Sequence, residues 1–427
     1  MSSLQALRLA ASLVVVLCAL VPSCWGHAVR SQTRDYGRFS PSSVKSIAAL
    51  SDPATLLDVR NPKSLLSLIL IPRPADTDNS RKVREAILDV FRHDLGSSAS
   101  ASTMDWAHPC KLGWHIEQHS FLTDTPEGRK NMTNLILTKN PAAPRKLVVA
   151  AHYDSKYFSA ASGMAEFVGA TDSAAPCAMM VDLAVALDDA LDARERRLHT
   201  QEQAMPTIAQ ETTLQLVFFD GEEAYRTWTH TDSIYGSRAL ASHWTSTFWD
   251  ATQFDRSRSA EHRLEARRAR GAYGPIEHIN TIEHMVLLDL LGTANPTVPS
   301  YFDSTKWMHQ AMADAETRLR DSGVLWPAGH SGARSFFSHH KPWGGIEDDH
   351  LPFLHAGVPI LHIIPSPFPS VWHKISDDAG ALDYATMHAW CMILRLAVAE
   401  YLDLDIPPQG KAKREYKAEL VSPRQAL

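Results

Sequence analysis

The chain has 427 residues, 42 Lys plus Arg against 48 Asp plus Glu, and a formal net charge of −6. Hydrophobic residues make up 44% and charged residues 21%, a balance that excludes a wholly disordered chain, a collagen-like repeat and a multi-span membrane protein. Mild acidity offers no general basic face, and no motif points to DNA or RNA, so no nucleic-acid partner is expected.

Arg8 precedes an apolar run, Leu9 to Val21, that is about two-thirds of the ~20 residues a spanning helix needs and has signal-peptide length. Cys24 and Gly26 are small residues placed for a cut after Gly26. Residues 1–26 are therefore expected to be a signal peptide, with an uncleaved anchor as the alternative. No later stretch is long and apolar enough to span, so no stable membrane anchor is expected. The mature chain is expected in the secretory pathway, either secreted or held in the Golgi lumen.

Residues 27–60 are Ser-rich and read as an arm with a short helix. Val83, Ile87, Leu88, Val90 and Phe91 recur at helical spacing within 80–95. Strand-like runs follow at Trp114 to Phe121, Asn131 to Thr138 and Lys146 to Ala151. A helix is expected from Ser173 to Leu191, with Pro176 in the first turn where proline is tolerated. Then come a buried strand at Thr213 to Asp220, a helix at Ser233 to Trp244, a strand at Met285 to Leu290, a helix at Thr305 to Leu319, a strand at Pro359 to Ile364 and a helix at Tyr384 to Leu402. Such alternation predicts an α/β fold of three layers, αβα, around a central, mostly parallel twisted sheet. Residues 27–406 are expected to form one catalytic domain. The polar stretch 192–212 and the Arg-rich stretch 253–275 read as surface insertions, the latter as a solvated loop rather than an anion-binding patch. Residues 407–427 read as a flexible tail.

Cys18 and Cys24 would leave with the signal, and Cys110, Cys177 and Cys391 remain. Three scattered cysteines make no disulfide framework. Asn131-Met132-Thr133 is a glycosylation sequon in a chain of this route.

In open α/β sheets, function gathers beyond the C-terminal ends of the strands. There this sequence places His152 and Asp154, then Asp172, then Asp220, Glu222 and Glu223, and finally Trp372 and His373, with Asp289 inside the Met285–Leu290 strand. Asp, Glu and His together suit zinc, and three protein ligands with one open position mark a catalytic ion. Asp172, Glu223 and His373 are the candidate ligands. Each also has an ordinary role available: a helix N-cap, a surface carboxylate and a packed loop histidine. Glu222 and Glu223 are neighbours at a strand end, so their side chains diverge; one is placed for metal and the other for general acid/base work.

The stretches HYDSKYF (152–158), FVGATDSAAPCAMM (167–180), FFDGEEAY (218–225), DSIYGSR (232–238), LLDLLG (287–292), NPT (295–297), DDHLPFL (348–354), GVPILHIIPSPFP (357–369) and VWH (371–373) resemble the zinc-dependent glutaminyl-peptide cyclotransferases of animals, within the zinc aminopeptidase clan. The resemblance implies one zinc per chain on Asp172, Glu223 and His373, and Glu222 as general acid/base. It makes Asp289 a buried carboxylate near the substrate amine, Asp348 and His362 a supporting hydrogen-bonded pair, and Trp228, Phe368 and Trp372 the pocket walls. It implies peptides and proteins beginning with Gln as substrates, with Glu as a further candidate, cyclised to pyroglutamate with loss of ammonia; a monomer is expected. Relatives carry a Cys immediately before HYDSK, paired with the Cys of PCAMM. Here that position is Ala151, which leaves Cys177 expected as a thiol. The stretches 192–212 and 253–275 are longer than the resemblance leads one to expect. Two other readings use the same residues. A two-zinc aminopeptidase would employ His152, Asp154, Asp172, Glu222, Glu223, Asp289 and His373, and a catalytically inactive binding homologue would keep the fold alone.

Overall fold

The computed structural model describes residues 37–92, 113–200, 207–250, 275–332, 334–340, 342 and 344–407, all within one compact unit. The expected signal peptide 1–26, Cys110, nearly all of 253–275 and the tail from 408 lie outside the described residues.

Six strands form the central sheet: β1 (His115–Thr125), β2 (Gly128–Thr138), β3 (Arg145–His152), β4 (Thr212–Phe219), β5 (Ile282–Leu288) and β6 (Ile360–Ile363). Their spatial order is β1-β2-β4-β3-β5-β6. The β1–β2 hairpin is antiparallel and joins β4 antiparallel. From β4 onward, through β3, β5 and β6, every pairing is parallel. Parallel neighbours need crossovers, and the helices supply them. The principal ones are α1 (Pro41–Ala48), α2 (Asp78–Arg92), α3 (Ala175–Thr200), α4 (Tyr235–Ser246), α5 (Lys306–Asp321), α6 (Leu351–His355) and α7 (Tyr384–Tyr401).

The period-2 pattern of the strands builds the layers. On β3, Leu147, Val149 and Ala151 face a core shared with α1, α2, α3, α5 and α7. Val148 and Ala150 face the opposite core, closed by Leu240, Ala241 and Trp244 of α4 and by Phe353 of α6. A stretch of strand covered on both faces must be apolar, and Leu147–Ala151 of β3, Leu216–Phe219 of β4 and Met285–Leu288 of β5 are. The result is the expected three-layer αβα arrangement. No helix among the described residues is long and apolar enough to cross a membrane.

The structure departs from the sequence reading in three places. First, α3 does not end at Leu191 but runs to Thr200, so the first part of the 192–212 stretch continues the helix. Arg194 is buried there, its guanidinium donating to the carbonyls of Ala209 and, at 2.9 Å, Thr212. A polar run thus conceals an anchor between the helix and the start of β4. Second, β5 stops at Leu288 and Asp289 stands just beyond its end. Third, Glu222 and Glu223 are in a loop three residues past β4, not at its pleated end. Their divergence comes from Asp154, whose carboxylate accepts both backbone N–H groups, at 3.1 and 3.3 Å.

Arg73 is fully buried and ties two loops of the site together. Its guanidinium donates to the carbonyls of Tyr153 (2.6 Å), Val168 and Gly169 (3.1 Å). Burial lowers its pKa below the usual arginine value, although the guanidinium remains the donor. Replacing it by Met orphans these carbonyls. Bonds to a charged group contribute ~1.5–3 kcal/mol each, so Arg73→Met should lose roughly 3 kcal/mol or more. Denaturant unfolding measures this, and an unchanged midpoint would refute the clamp.

Candidate active site

The loops after β3, β4, β5 and β6 converge at one end of the sheet. Of the ten residues to which the resemblance gives a ligand, acid/base, amine-contact, wall or supporting role, nine line a single cleft of about 330 Å³: Asp172, Glu222, Glu223, Trp228, Asp289, Asp348, Phe368, Trp372 and His373. The tenth, His362, lies behind it on β6 and donates to Asp348 Oδ2 at 2.7 Å. Burial alone would raise the Asp348 carboxyl, but the hydrogen bond from His362 holds it below the ordinary range.

His373 Nε2 stands 3.4 Å from Asp172 Oδ2 and 3.3 Å from Glu223 Oε1. Ligand atoms ~2.0–2.1 Å from a tetrahedral zinc are separated from one another by roughly 3.3 Å. The two carboxylate oxygens are buried and have no hydrogen-bond partner. A buried unpaired acceptor is costly, and a cation between these three atoms would satisfy both. The donor set therefore fits a zinc ion. The remaining oxygens are already taken: Lys156 Nζ donates to Glu223 Oε2 at 3.1 Å, and His152 Nε2 lies 3.1 Å from Asp172 Oδ1. Burial would lower the His373 imidazole, but Asp172 and Glu223 push it up to about 9.

A second cluster, His152, Asp172 and Asp289, also has metal-binding composition. Its hydrogen bonds are largely complete. Asp289 Oδ1 accepts from the Ser173 hydroxyl and from the Leu290 backbone N–H at 2.8 Å, with His152 Nε2 3.5 Å away. Burial pushes the Asp289 carboxyl up to about 6 against the pull of His152. None of its ligand oxygens on that side is orphaned.

Glu222 is buried as a residue, but its carboxylate opens into the cleft. Burial raises it well above the ordinary range against the pull of His152, and Glu223 adds to the rise. A carboxyl so placed, with its hold on a proton strengthened by burial, suits proton transfer. Phe368 meets Trp372 edge-on with ring centroids 5.0 Å apart, and Trp372 stacks on His373 at 4.0 Å. Trp228 Nε1 donates to Glu347 Oε2 at 2.9 Å, fixing the other wall.

Several functional positions were not singled out by chemistry alone. Lys156 and Ser173 lie inside the quoted motifs, so a signal existed. Asp377, four residues after His373, accepts from the Thr171 backbone N–H at 2.9 Å and joins the two ligand loops. Burial, reinforced by Asp172, pushes its carboxyl up to about 7. Ile234, Leu290 and His373 hold positive φ without being glycine. Such conformations persist where the surroundings over-determine them, commonly at active sites.

A profile of peptidase family M28 matches residues 134–398. A glutaminyl-peptide cyclotransferase of Bos taurus is 42% identical over 323 residues, covering 75% of this chain and 81% of that protein. The glutaminyl-peptide cyclotransferase of Drosophila melanogaster is 37% identical over 371 residues, 85% of this chain and 86% of that one. The chain belongs to the glutaminyl-peptide cyclotransferases of family M28. Among solved structures, the glutaminyl cyclase of Macrostomum lignano superposes with a TM-score of 0.66 at 32% identity, covering 87% of this chain and 96% of that one. Membership accounts for the mostly parallel sheet and for a zinc-type donor set at the strand ends.

Cys177 and Cys391 are free and buried, and Ala151 leaves Cys177 without the neighbouring cysteine. The Cys177 thiol donates to the His152 carbonyl at 3.2 Å, and burial pushes its pKa up to about 12. It should be silent to thiol reagents in the native protein and react after denaturation without reductant. Failure to find it in the denatured protein would reveal a disulfide.

Proposed function

We propose that the chain is a zinc-dependent acyltransferase that converts the N-terminal Gln of peptides and proteins to pyroglutamate with release of ammonia. The observation that carries the reading is the pair of orphaned buried oxygens, Asp172 Oδ2 and Glu223 Oε1, set beside His373 Nε2 at tetrahedral spacing. One zinc per chain held by these three would supply Lewis acidity to the γ-carbonyl of the substrate glutamine. Glu222 takes a proton from the attacking α-amine and returns it to the departing nitrogen, so that ammonia leaves as the lactam closes. Asp289 accepts a hydrogen bond from the α-amine and orients it. Trp228, Phe368 and Trp372 hold the side chain folded toward the amine, which turns a flexible encounter into a near-attack geometry. Asp348, gripped by His362, supports the wall of the cleft beside Glu222. N-terminal Glu is a second candidate substrate.

The two-zinc aminopeptidase uses the same ligand types, and the second cluster has the required composition. Its completed hydrogen bonds favour the single ion. Product mass decides between them. A Gln-initiated peptide should lose 17 Da, the mass of ammonia, on the order expected for one lactam per chain; release of a free amino acid would establish hydrolysis, and neither outcome with zinc bound would leave an inactive homologue.

The reading extends to the chain as a whole. Residues 1–26 act as a cleaved signal, 27–406 as the catalytic domain and 407–427 as a tail, in a monomer secreted or retained in the Golgi lumen. Asn131 is exposed on β2, as a glycan acceptor must be. Intact mass of the secreted protein, before and after glycosidase, tests both the cut and the glycan.

A further inference from the structure

Lys146 opens β3 at the end opposite the active site. It stands six residues before His152, which at ~3.3 Å per residue is roughly 20 Å away. The residue is 4% exposed. Its ammonium donates to the Ala143 carbonyl at 2.8 Å and lies 4.6 Å from the centre of the Trp249 ring. No carboxylate among the described residues stands within ion-pair distance of it. The other buried cations among the described residues have partners: Arg73 and Arg194 brace loops, Lys139 pairs with Asp188 at 2.7 Å, and Arg395 pairs with Asp182 at 2.5 Å. Lys146 has two N–H donors left over and faces a cleft of about 50 Å³. Gln215, Trp244, Trp249 and His278 line that cleft with it.

A lysine held in low dielectric without a counter-charge is disfavoured as the ammonium. Burial accordingly brings Lys146 down to about 7. The missing partner is an anion, and the cleft specifies which kind. At ~10–15 Å³ of such space per water the cleft takes about four water-sized groups, so a molecule of about four or five heavy atoms fits. The Gln215 amide donates one hydrogen to Thr138 Oγ1 at 2.7 Å, which leaves its second for a ligand oxygen. Trp244 and Trp249 give apolar cover for an alkyl group. Glu117 of β1 also lines the cleft, so a dianion such as phosphate would meet repulsion while a monoanion is neutralised by one ammonium. We infer that this cleft is a second binding site, remote from the reaction, for small monocarboxylates of acetate or propionate size.

Binding converts Lys146 to its charged form, so the complex takes up a proton. Affinity should be greatest below pH 7 and fall about tenfold per unit above it. The other titratable groups facing the cleft are His115 and Glu117 from β1 and His278 from the turn before β5. Burial, with Lys146 and His243 adding to it, lowers His278, so it adds little positive charge near neutrality.

The test is calorimetric titration of the intact mature enzyme with propionate. The His373→Ala variant is titrated beside it, which removes carboxylate binding at the catalytic metal from the signal. One saturable site is expected in both, with proton uptake and the pH dependence above. Lys146→Met should weaken binding at least tenfold and leave turnover of a Gln-peptide unchanged. Gln215→Leu should weaken it by about tenfold, one hydrogen bond to a charged group, and serves if the Met variant does not fold. Equal binding by Lys146→Met, equal binding of uncharged propionamide, displacement by chloride as effective as by acetate, or no saturation at about 10 mM, ten times a 1 mM dissociation constant, would each overturn the assignment.

Discussion

Glu222→Gln should bind zinc as the unaltered enzyme does and lose turnover by about 10²–10⁴, the range that a positioned general acid/base supplies. The substitution is close to isosteric, so the cleft survives. The Glu222 backbone N–H still bonds Asp154 and its carbonyl still accepts from Ile234 at 2.7 Å, which keeps Glu223 aimed at His373. What vanishes is the one carboxylate in the cleft with neither a metal partner nor a hydrogen-bond partner of its own. The amide cannot take the proton of an attacking amine. The loss should fall in kcat, with KM little changed, because the carboxylate acts in the transition state more than in the ground state. Metal analysis and steady-state kinetics on one preparation check both halves. Full turnover would remove Glu222 from proton transfer; lost zinc would make it a ligand.

The layers of this fold were legible because the strand interiors are apolar on both faces, as LVVAA (147–151) and LVFF (216–219) show. The site was legible because polar residues interrupt those runs at their C-terminal ends, where no core would place them. The limits lie elsewhere. Arg194 sits in a run of charges that reads as solvent-facing, and only the carbonyls it meets reveal it as an anchor. Arg73 is one arginine between prolines, about eighty residues before its partner Tyr153, and no local pattern connects them. The direction of a carboxylate is equally hidden. Adjacency alone said only that Glu222 and Glu223 diverge, and the motif resemblance was what assigned their roles. The structure separates them by what each oxygen touches: Lys156 and a site for cation on Glu223, open cleft on Glu222. Lys146 began a strand in the sequence and carried no chemistry until its lack of a counter-charge could be seen.

Stripping the metal with a chelator should abolish turnover, and zinc should restore it at one ion per chain. His373→Ala should weaken zinc by more than about 100-fold, since even residues that only orient a ligand are worth 10–100-fold. The reason is geometric. Without the imidazole, Asp172 Oδ2 and Glu223 Oε1 remain as two like charges with nothing to neutralise them but solvent entering beside Trp372, which is 40% exposed. A proton on His373 competes with the ion, because only the neutral imidazole coordinates. With that imidazole pushed up to about 9 by its carboxylate neighbours, zinc affinity should rise with pH, by up to tenfold per unit, until about pH 9 and then level off. The variant should lose this dependence along with its metal. Normal zinc content in His373→Ala would refute the ligand set. Two ions per chain, with the second lost on His152→Ala and a free amino acid as product, would transfer the enzyme to the hydrolytic branch of its family, since the second cluster would then be holding metal rather than the hydrogen bonds that now fill it.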